Sequence, residues 1–331
     1  MSVRLQKLVG LIVLFVVAIT FSGCLSSIAK SIGESSNGFD SDDILLMRRT
    51  RYSAKIINQL KTTKTVFFYK KDKSQKNDSI KAAISSVWNF TPIIFDDIEN
   101  FEKYASDPNY SYFDIEGVST TSSGSTGAYS FVHYYLALRL FQNVGRKGKI
   151  NTLGLCRIEL YPNTSTLMAG AGYHSKPEEV INKLYTSGTF YNWTPILLKA
   201  HIAAVQNDLN NSIRPWLFHE IKDTLLSEIL SKDTLYVPKG LLMSFGSFTG
   251  VEKNDKESVF AKYTHPYRIC NDKELYQIFE VEKRGKLLFE YTKSCTDKFV
   301  SIYNLKENKI IYKKYTHSSY NLKTRDITVL K

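Results

Sequence analysis

"TPIIFDDIENFEKY" (91–104) and "HPYRICNDKELYQIF" (265–279) carry the same reading in the two halves of a 331-residue chain. Each places a proline at the entry to a short strand, then Asp or Asn as a helix cap, then a helix with aromatic residues on one face. Repetition of this strand–cap–helix unit decides the fold class.

Upstream of the first copy, "KTVFFYKK" (64–71) reads as a strand and "NDSIKAAISSVW" (77–88) as a helix, with Ile80, Ala83, Ile84 and Val87 on its apolar face. "DDILLMRRTRYSAKIINQLK" (42–61) has helical spacing, with Ile44, Met47, Tyr52, Ile56 and Leu60 on one side. Downstream, "YSYFDIEG" (110–117) is a strand and the Ser/Thr/Gly run "STTSSGSTG" (119–127) a loop. In "AYSFVHYYLALRLF" (128–141), Val132, Tyr134, Leu136, Leu138 and Leu140 alternate with mixed partners, which is the period of a half-buried strand. "TLGLCRIELYP" (152–162) is its hairpin mate.

Around the second copy the order recurs. "DTLYVP" (233–238) is a strand and "DKESVFAKY" (255–263) a helix. After the copy itself come three strands, "GKLLFEYTK" (285–293), "KFVSIYNL" (298–305) and "KIIYKKYT" (309–316), and a closing helix, "SYNLKTRDI" (319–327). Between the halves, "SKPEEVINKLYTSG" (175–188), "TPILLKAHIAAVQNDL" (194–209) and "RPWLFHEIKDTLLSEIL" (214–230) all read as helices that start on Ser or Thr caps or early prolines. The expected architecture is α/β (α+β): two similar modules of order β-α-β-α-β-β-β, related by duplication, with helices on mixed sheets. The expected boundaries are 44–173 and 233–331 for the modules and 174–232 for a helical connector.

The amino-terminal end reads as a targeting segment. Arg4 and Lys7 precede "LVGLIVLFVVAITF" (8–21), 14 uncharged residues, and then Ser22, Gly23 and Cys24. That run is shorter than the ~20 residues a spanning helix needs and fits the apolar region of a secretion signal. Small residues ahead of a cysteine resemble a bacterial lipobox. The expectation is therefore cleavage of 1–23 and lipid attachment at Cys24, with 24–43 as a flexible Ser/Gly-rich tether. Two or three acyl chains would hold the body on a membrane, each buried methylene contributing ~0.8 kcal/mol. Phe21 departs from the aliphatic residue usual in that pattern.

The chain carries 44 Lys+Arg against 32 Asp+Glu, a net charge of +12. The lysines are scattered as singles and pairs, and no nucleic-acid-binding motif accompanies them, so a solubilising surface is expected and no nucleic-acid partner. Once Cys24 is acylated, Cys156, Cys270 and Cys295 remain, an odd number that excludes a disulfide framework. Cys270 and Cys295 follow strands near in sequence and form the one candidate bridge. "HEIKD" (219–223) approaches the metalloprotease pattern HExxH, with His219 and Glu220 as candidate metal and base groups; Asp223 stands where the second histidine belongs. No cofactor motif is present. The six histidines are dispersed, and no Ser/His/Asp arrangement is readable along the chain. With 21 Tyr and 19 Phe, most aromatic residues serve core and cross-strand packing, and the exposed tyrosines are material for an interface.

"WNFTPIIF" (88–95), "DTLYVPKGLL" (233–242) with "FTG" (248–250), and "TDKFVSIYNLKENKIIYKKYTHSSYNLKTRDI" (296–327) together resemble a family of uncharacterised exported lipoproteins common in Bacteroidetes. The resemblance implies the cell envelope and no particular activity. In that group acidic residues soon after the lipid-bearing cysteine accompany surface export. Leu25 and Ser26 follow Cys24, which points to an outer-membrane anchor with the body in the periplasm. The expected function is a non-enzymatic binding or scaffolding module with a protein or polymer partner. The alternatives are a metal-dependent hydrolase at His219 and Glu220, or small-ligand binding in a cleft between the modules.

Overall fold

The computed structural model describes residues 50–71, 75–124, 127–144, 150–169, 183–186, 188–215, 217–245, 252–253, 257–317 and 319–330. Residues 1–49, on which the expected signal segment, lipid attachment at Cys24 and tether fall, lie outside the described residues, as does most of 175–188. No helix among the described residues is long and apolar enough to cross a membrane.

The first half holds α1 (Ala54–Lys61), β1 (Lys64–Tyr69), α2 (Gln75–Ser85), β2 (Ile93–Asp97), α3 (Glu102–Ala105), β3 (Tyr110–Gly124), β4 (Gly127–Val144) and β5 (Ile150–Glu159). After a short helix, α4 (Thr164–Ala169), comes α5 (Pro195–Asn210). The second half holds β6 (Ile221–Lys222), α6 (Leu226–Lys232), β7 (Leu235–Pro238), β8 (Tyr267–Cys270), α7 (Asp272–Tyr276), β9 (Leu287–Ser294), β10 (Asp297–Asn304), β11 (Lys309–Thr316) and α8 (Thr324–Thr328).

The fold is α+β with two mixed sheets. The first runs β2-β1-β3-β4-β5 and the second β8-β7-β9-β10-β11-β6. Strand by strand they share one plan. β1 in the first half and β7 in the second each lie parallel between the two strands that follow them in the chain, and β3-β4-β5 and β9-β10-β11 each form an antiparallel meander, with β6 added at the free edge of β11. The two quoted stretches occupy matching places in this plan. Pro92 leads into β2 and Asp97 caps the turn that follows, its Oδ1 accepting from Glu99 N at 3.0 Å. Pro266 leads into β8 and Asn271 forms a full capping box with Glu274, at 3.0 and 2.9 Å.

Helix α5 joins the halves. Thr194 caps it and Pro195 opens it, as the sequence predicts. Leu198, Ile202, Val205 and Leu209 enter the core of the first sheet, with Phe67, Phe113, Leu136 and Leu138. Ile196, Leu197, Ala200 and Ala204 enter the core of the second, with Leu235, Leu287 and Phe289. A helix apolar on both sides is a buried one, and each fully buried Leu or Ile contributes about 1.5–3 kcal/mol. Gln206 pins it further, its Oε1 accepting from Asn89 N at 2.6 Å and Phe90 N at 3.1 Å.

Several expectations give way. The helix expected over 42–61 starts only at Ala54 within the described residues, with Ser53 as its cap. Before it, Thr50–Arg51 pairs with Ile213–Arg214, and the Tyr52 hydroxyl donates to the Leu155 carbonyl. Within the Ser/Thr/Gly run, 119–124 and Gly127 are strand and not loop: the β3–β4 ladder continues to Gly124 opposite Gly127. The helix expected over 255–263 is a single 3-10 turn, Glu257–Phe260. The helix expected over 214–230 forms only at Leu226–Lys232. Ahead of it, Ile221 and Lys222 extend to pair with Lys313 and Tyr312 at the edge of the second sheet, and pairing there outweighs helical propensity.

The candidate disulfide also fails. Cys270 faces Pro238 in register, whereas Cys295 follows the end of β9. Strand geometry separates them by roughly 16 Å along the strands and about 10 Å across. A disulfide needs Cα atoms within about 7 Å.

Candidate functional site

The second sheet has two unlike faces. On β9, Leu287, Phe289 and Tyr291 point into the apolar core, and Glu290 and Thr292 point the other way. On β10, Val300 and Ile302 point inward, while Phe299 and Ser301 share the polar side with Tyr303. On β11 the alternation is interrupted. Ile302 pairs with Tyr312 and Tyr303 with Ile310, so Ile311 is an inserted bulge residue. The bulge brings Ile310 and Lys313 to one face although they are three apart in sequence.

This polar face, the carboxyl-terminal end of β5 and the flank of α5 enclose a cleft of about 70 Å³. Its charged and imidazole lining is Arg157 and Glu159 from β5, His201 and Asp208 from α5, Glu290 from β9 and Lys313 from β11.

Glu290 is 4% exposed and saturated with donors. His201 Nε2 lies 2.9 Å from both carboxylate oxygens, which makes Nε2 the protonated nitrogen. Tyr303 OH donates at 2.8 Å, Asn192 Nδ2 at 2.9 Å and Thr292 Oγ1 at 3.1 Å. Burial alone would raise the Glu290 pKa; the His201 imidazole and these hydrogen bonds outweigh it and hold the carboxyl at about 2. Burial and the Glu290 charge raise Tyr303 well above the ordinary phenol value, so it stays protonated. Asn192 also donates to Glu159 O at 3.0 Å and accepts from Tyr161 N at 2.8 Å, tying this carboxylate to the chain that leads into α5.

Glu159 anchors a second network. It takes the Arg157 guanidinium and the Ser294 hydroxyl, the latter at 2.5 Å. Burial would raise its pKa, but Arg157 and Ser294 bring it below the ordinary value. Ser294 Oγ lies 3.0 Å from His133 Nδ1. Since the serine proton goes to Glu159, the imidazole donates from Nδ1. Histidine, serine and carboxylate thus meet, but in the order His–Ser–Glu. The serine faces a carboxylate too weakly basic to activate it, which is not a nucleophile's arrangement. Arg157 also stacks on Tyr135, 4.1 Å from the ring centre, and Tyr135 OH donates to Glu116 at 2.8 Å. The strand that opens each antiparallel meander therefore carries a carboxylate that accepts from a tyrosine on the next strand: Glu116 on β3 with Tyr135 on β4, Glu290 on β9 with Tyr303 on β10.

Lys313 is the exception. Its amine makes no hydrogen bond or ion pair among the described residues, and its one ring contact is Phe299, at 5.6 Å. Burial lowers its pKa, and the pull of Glu159, Glu290 and Asp208 opposes that lowering only in part.

The residues singled out from sequence fall elsewhere. Cys24 lies outside the described residues. Cys270 is a buried thiol on edge strand β8. His219 and Glu220 precede β6 in non-helical backbone, so "HEIKD" has no one-turn spacing with which to grip a metal. Among the described residues, no group of three His, Cys, Asp or Glu side chains is placed to hold a metal ion. Sequence reasoning missed Glu159, His201, Glu290 and Lys313. Their signal was a charged or imidazole residue inside an otherwise apolar stretch, as in "LLFEY" (287–291) or "LKAHIAAV" (198–205).

No family model, curated protein or solved structure matches the chain.

Proposed function

We propose that the chain is a lipid-anchored protein of a bacterial envelope whose body binds a small polar ligand in the cleft between its sheets. One observation carries the reading: among the described residues the Lys313 amine makes no hydrogen bond or ion pair, in a cleft whose two buried carboxylates, Glu159 and Glu290, are already hydrogen-bonded. A half-buried cation held in a cleft without an ion-pair partner costs stability, and binding an occupant offsets that cost. The network around Glu290 and Glu159 is fixed beforehand, which favours binding because little ordering is left to do. The anchor part of the reading rests on the segment ending at Cys24. It leaves the body beside a membrane, facing the periplasm, among the proteins and polymers of the envelope.

Two experiments test the two parts. A thermal-shift screen of the purified protein against small polar metabolites should return ligands whose stabilisation disappears in Lys313→Met. Stabilising ligands that ignore this change, and ignore Tyr303→Phe as well, would refute the cleft. Cys24→Ala should move the protein from the membrane to the soluble fraction. Retention of that variant on membranes, with no acyl mass on the unaltered protein, would refute the anchor.

A further inference from the structure

Glu290, Ser301 and Lys313 form one row across three neighbouring strands. Glu290 is in register with Ser301, and Ser301 with Lys313. Adjacent strands lie about 4.8 Å apart, so the two charged residues stand roughly 10 Å apart at the backbone. Between them is Ser301, a small side chain, 5% exposed and part of the cleft lining. The Glu290 carboxylate is drawn toward α5 by His201 and Asn192. It therefore makes no ion pair with Lys313, and room is left over the serine.

We infer that the cleft takes a small molecule by its carboxylate, seated over Ser301 against the ammonium of Lys313. This rests on the cleft-binding reading above and narrows it to a ligand class. The charge count selects among anions. Arg157 is already paired with Glu159, so among the described residues that line the cleft Lys313 is the cation left for the ligand. Glu159, Glu290 and Asp208 line the same cleft, and each acts on the Lys313 amine through its charge. One added negative charge is matched by Lys313; a second meets the repulsion of these three carboxylates in a poorly screened space. Monocarboxylates fit on this ground, whereas dicarboxylates and phosphate do not. The volume sets the size. A space of about 70 Å³ suits a molecule of a few heavy atoms, since one water needs roughly 10–15 Å³ by the same measure. The Phe299 ring beside the amine gives the ligand's carbon end an apolar wall.

The test is protection of Lys313 in the full-length protein from reductive methylation by formaldehyde and a borane, read by peptide mass spectrometry. Lactate and propionate serve as monocarboxylate probes, lactamide as the uncharged counterpart, and succinate and phosphate as dianions. The expected result is that lactate or propionate protects Lys313, lactamide does not, and the dianions protect less. In thermal-shift titrations Lys313→Met should weaken the protecting carboxylate by roughly 10- to 100-fold, the range of one charge-assisted hydrogen bond. Equal protection by lactamide, or stronger protection by phosphate or succinate, would overturn the assignment. Labelling of Lys313 with no protection by either monocarboxylate would also overturn it, while leaving the cleft as a site for another ligand. If Lys313 is never labelled in the free protein, small molecules do not reach the cleft, and the reading beneath this one fails with it.

Discussion

Replacing Glu290 by Gln removes one negative charge from a site that offers it four donors, and the effect should depend on pH in a calculable way. The folded-state pKa of Glu290 is held at about 2, against 4.5 for the ordinary side chain. Because the folded value is the lower one, the carboxylate's stabilisation is complete above the unfolded pKa and fades as pH falls toward the folded one. At 1.36 kcal/mol per unit, the gap corresponds to about 3 kcal/mol. An uncharged Gln has no such titration, and its amide nitrogen turns a donor toward His201 or Asn192. At neutral pH the variant should therefore be less stable by roughly 3–5 kcal/mol, the range for breaking a buried charged pair. On acidification that deficit should shrink by about 3 kcal/mol between about pH 5 and pH 2. Urea unfolding followed by tryptophan fluorescence reads this directly, because Trp88 is buried and Trp193 packs on the first core. A deficit that stays constant over that pH range would show that Glu290 carries no depressed pKa, and the account of the site would be wrong.

Three further outcomes follow from the packing. Gly285→Ala would set a Cβ 2.5 Å from Phe279 Cε1 and 2.9 Å from Ile278 Cγ2; both side chains are buried, so overpacking should cost roughly 1–3 kcal/mol in thermal or chemical denaturation. Ile202→Ala removes a fully buried side chain from α5 and should destabilise by roughly 2–5 kcal/mol. Lys298, wholly buried and paired with Asp326, gives a double test. Lys298→Met alone strands the Asp326 carboxylate at a cost of roughly 3–5 kcal/mol, whereas Lys298→Met with Asp326→Leu should recover most of the loss in the same denaturation assay.

The plan of the sheets was legible because local rules agree with it. Val132 to Leu140 alternate cleanly along β4, Thr194 and Pro195 announce α5, and Asn271 with Glu274 announces α7. Elements whose structure is decided by distant partners were not legible. Ile221–Lys222 is too short to show a period and becomes a strand only because β11 offers an edge. The Ser/Thr/Gly run reads as a loop by composition, and its first six residues are held in a ladder by the neighbouring strand. The site is the extreme case. His201 and Glu290 meet across 89 residues, and Glu159 and Ser294 across 135. Lys313 reaches the cleft through a register shift that no spacing rule announces. The lipid-anchor signal was read from a linear motif in residues outside the described structure.

One consequence of α5 concerns how the molecule comes apart. A single rod serves as the inner wall of both halves, so neither sheet keeps its cover if the other loosens its hold on that rod. Heat should melt the body in one cooperative step despite its bipartite plan. A molecule lodged beside His201 would then tighten both halves at once.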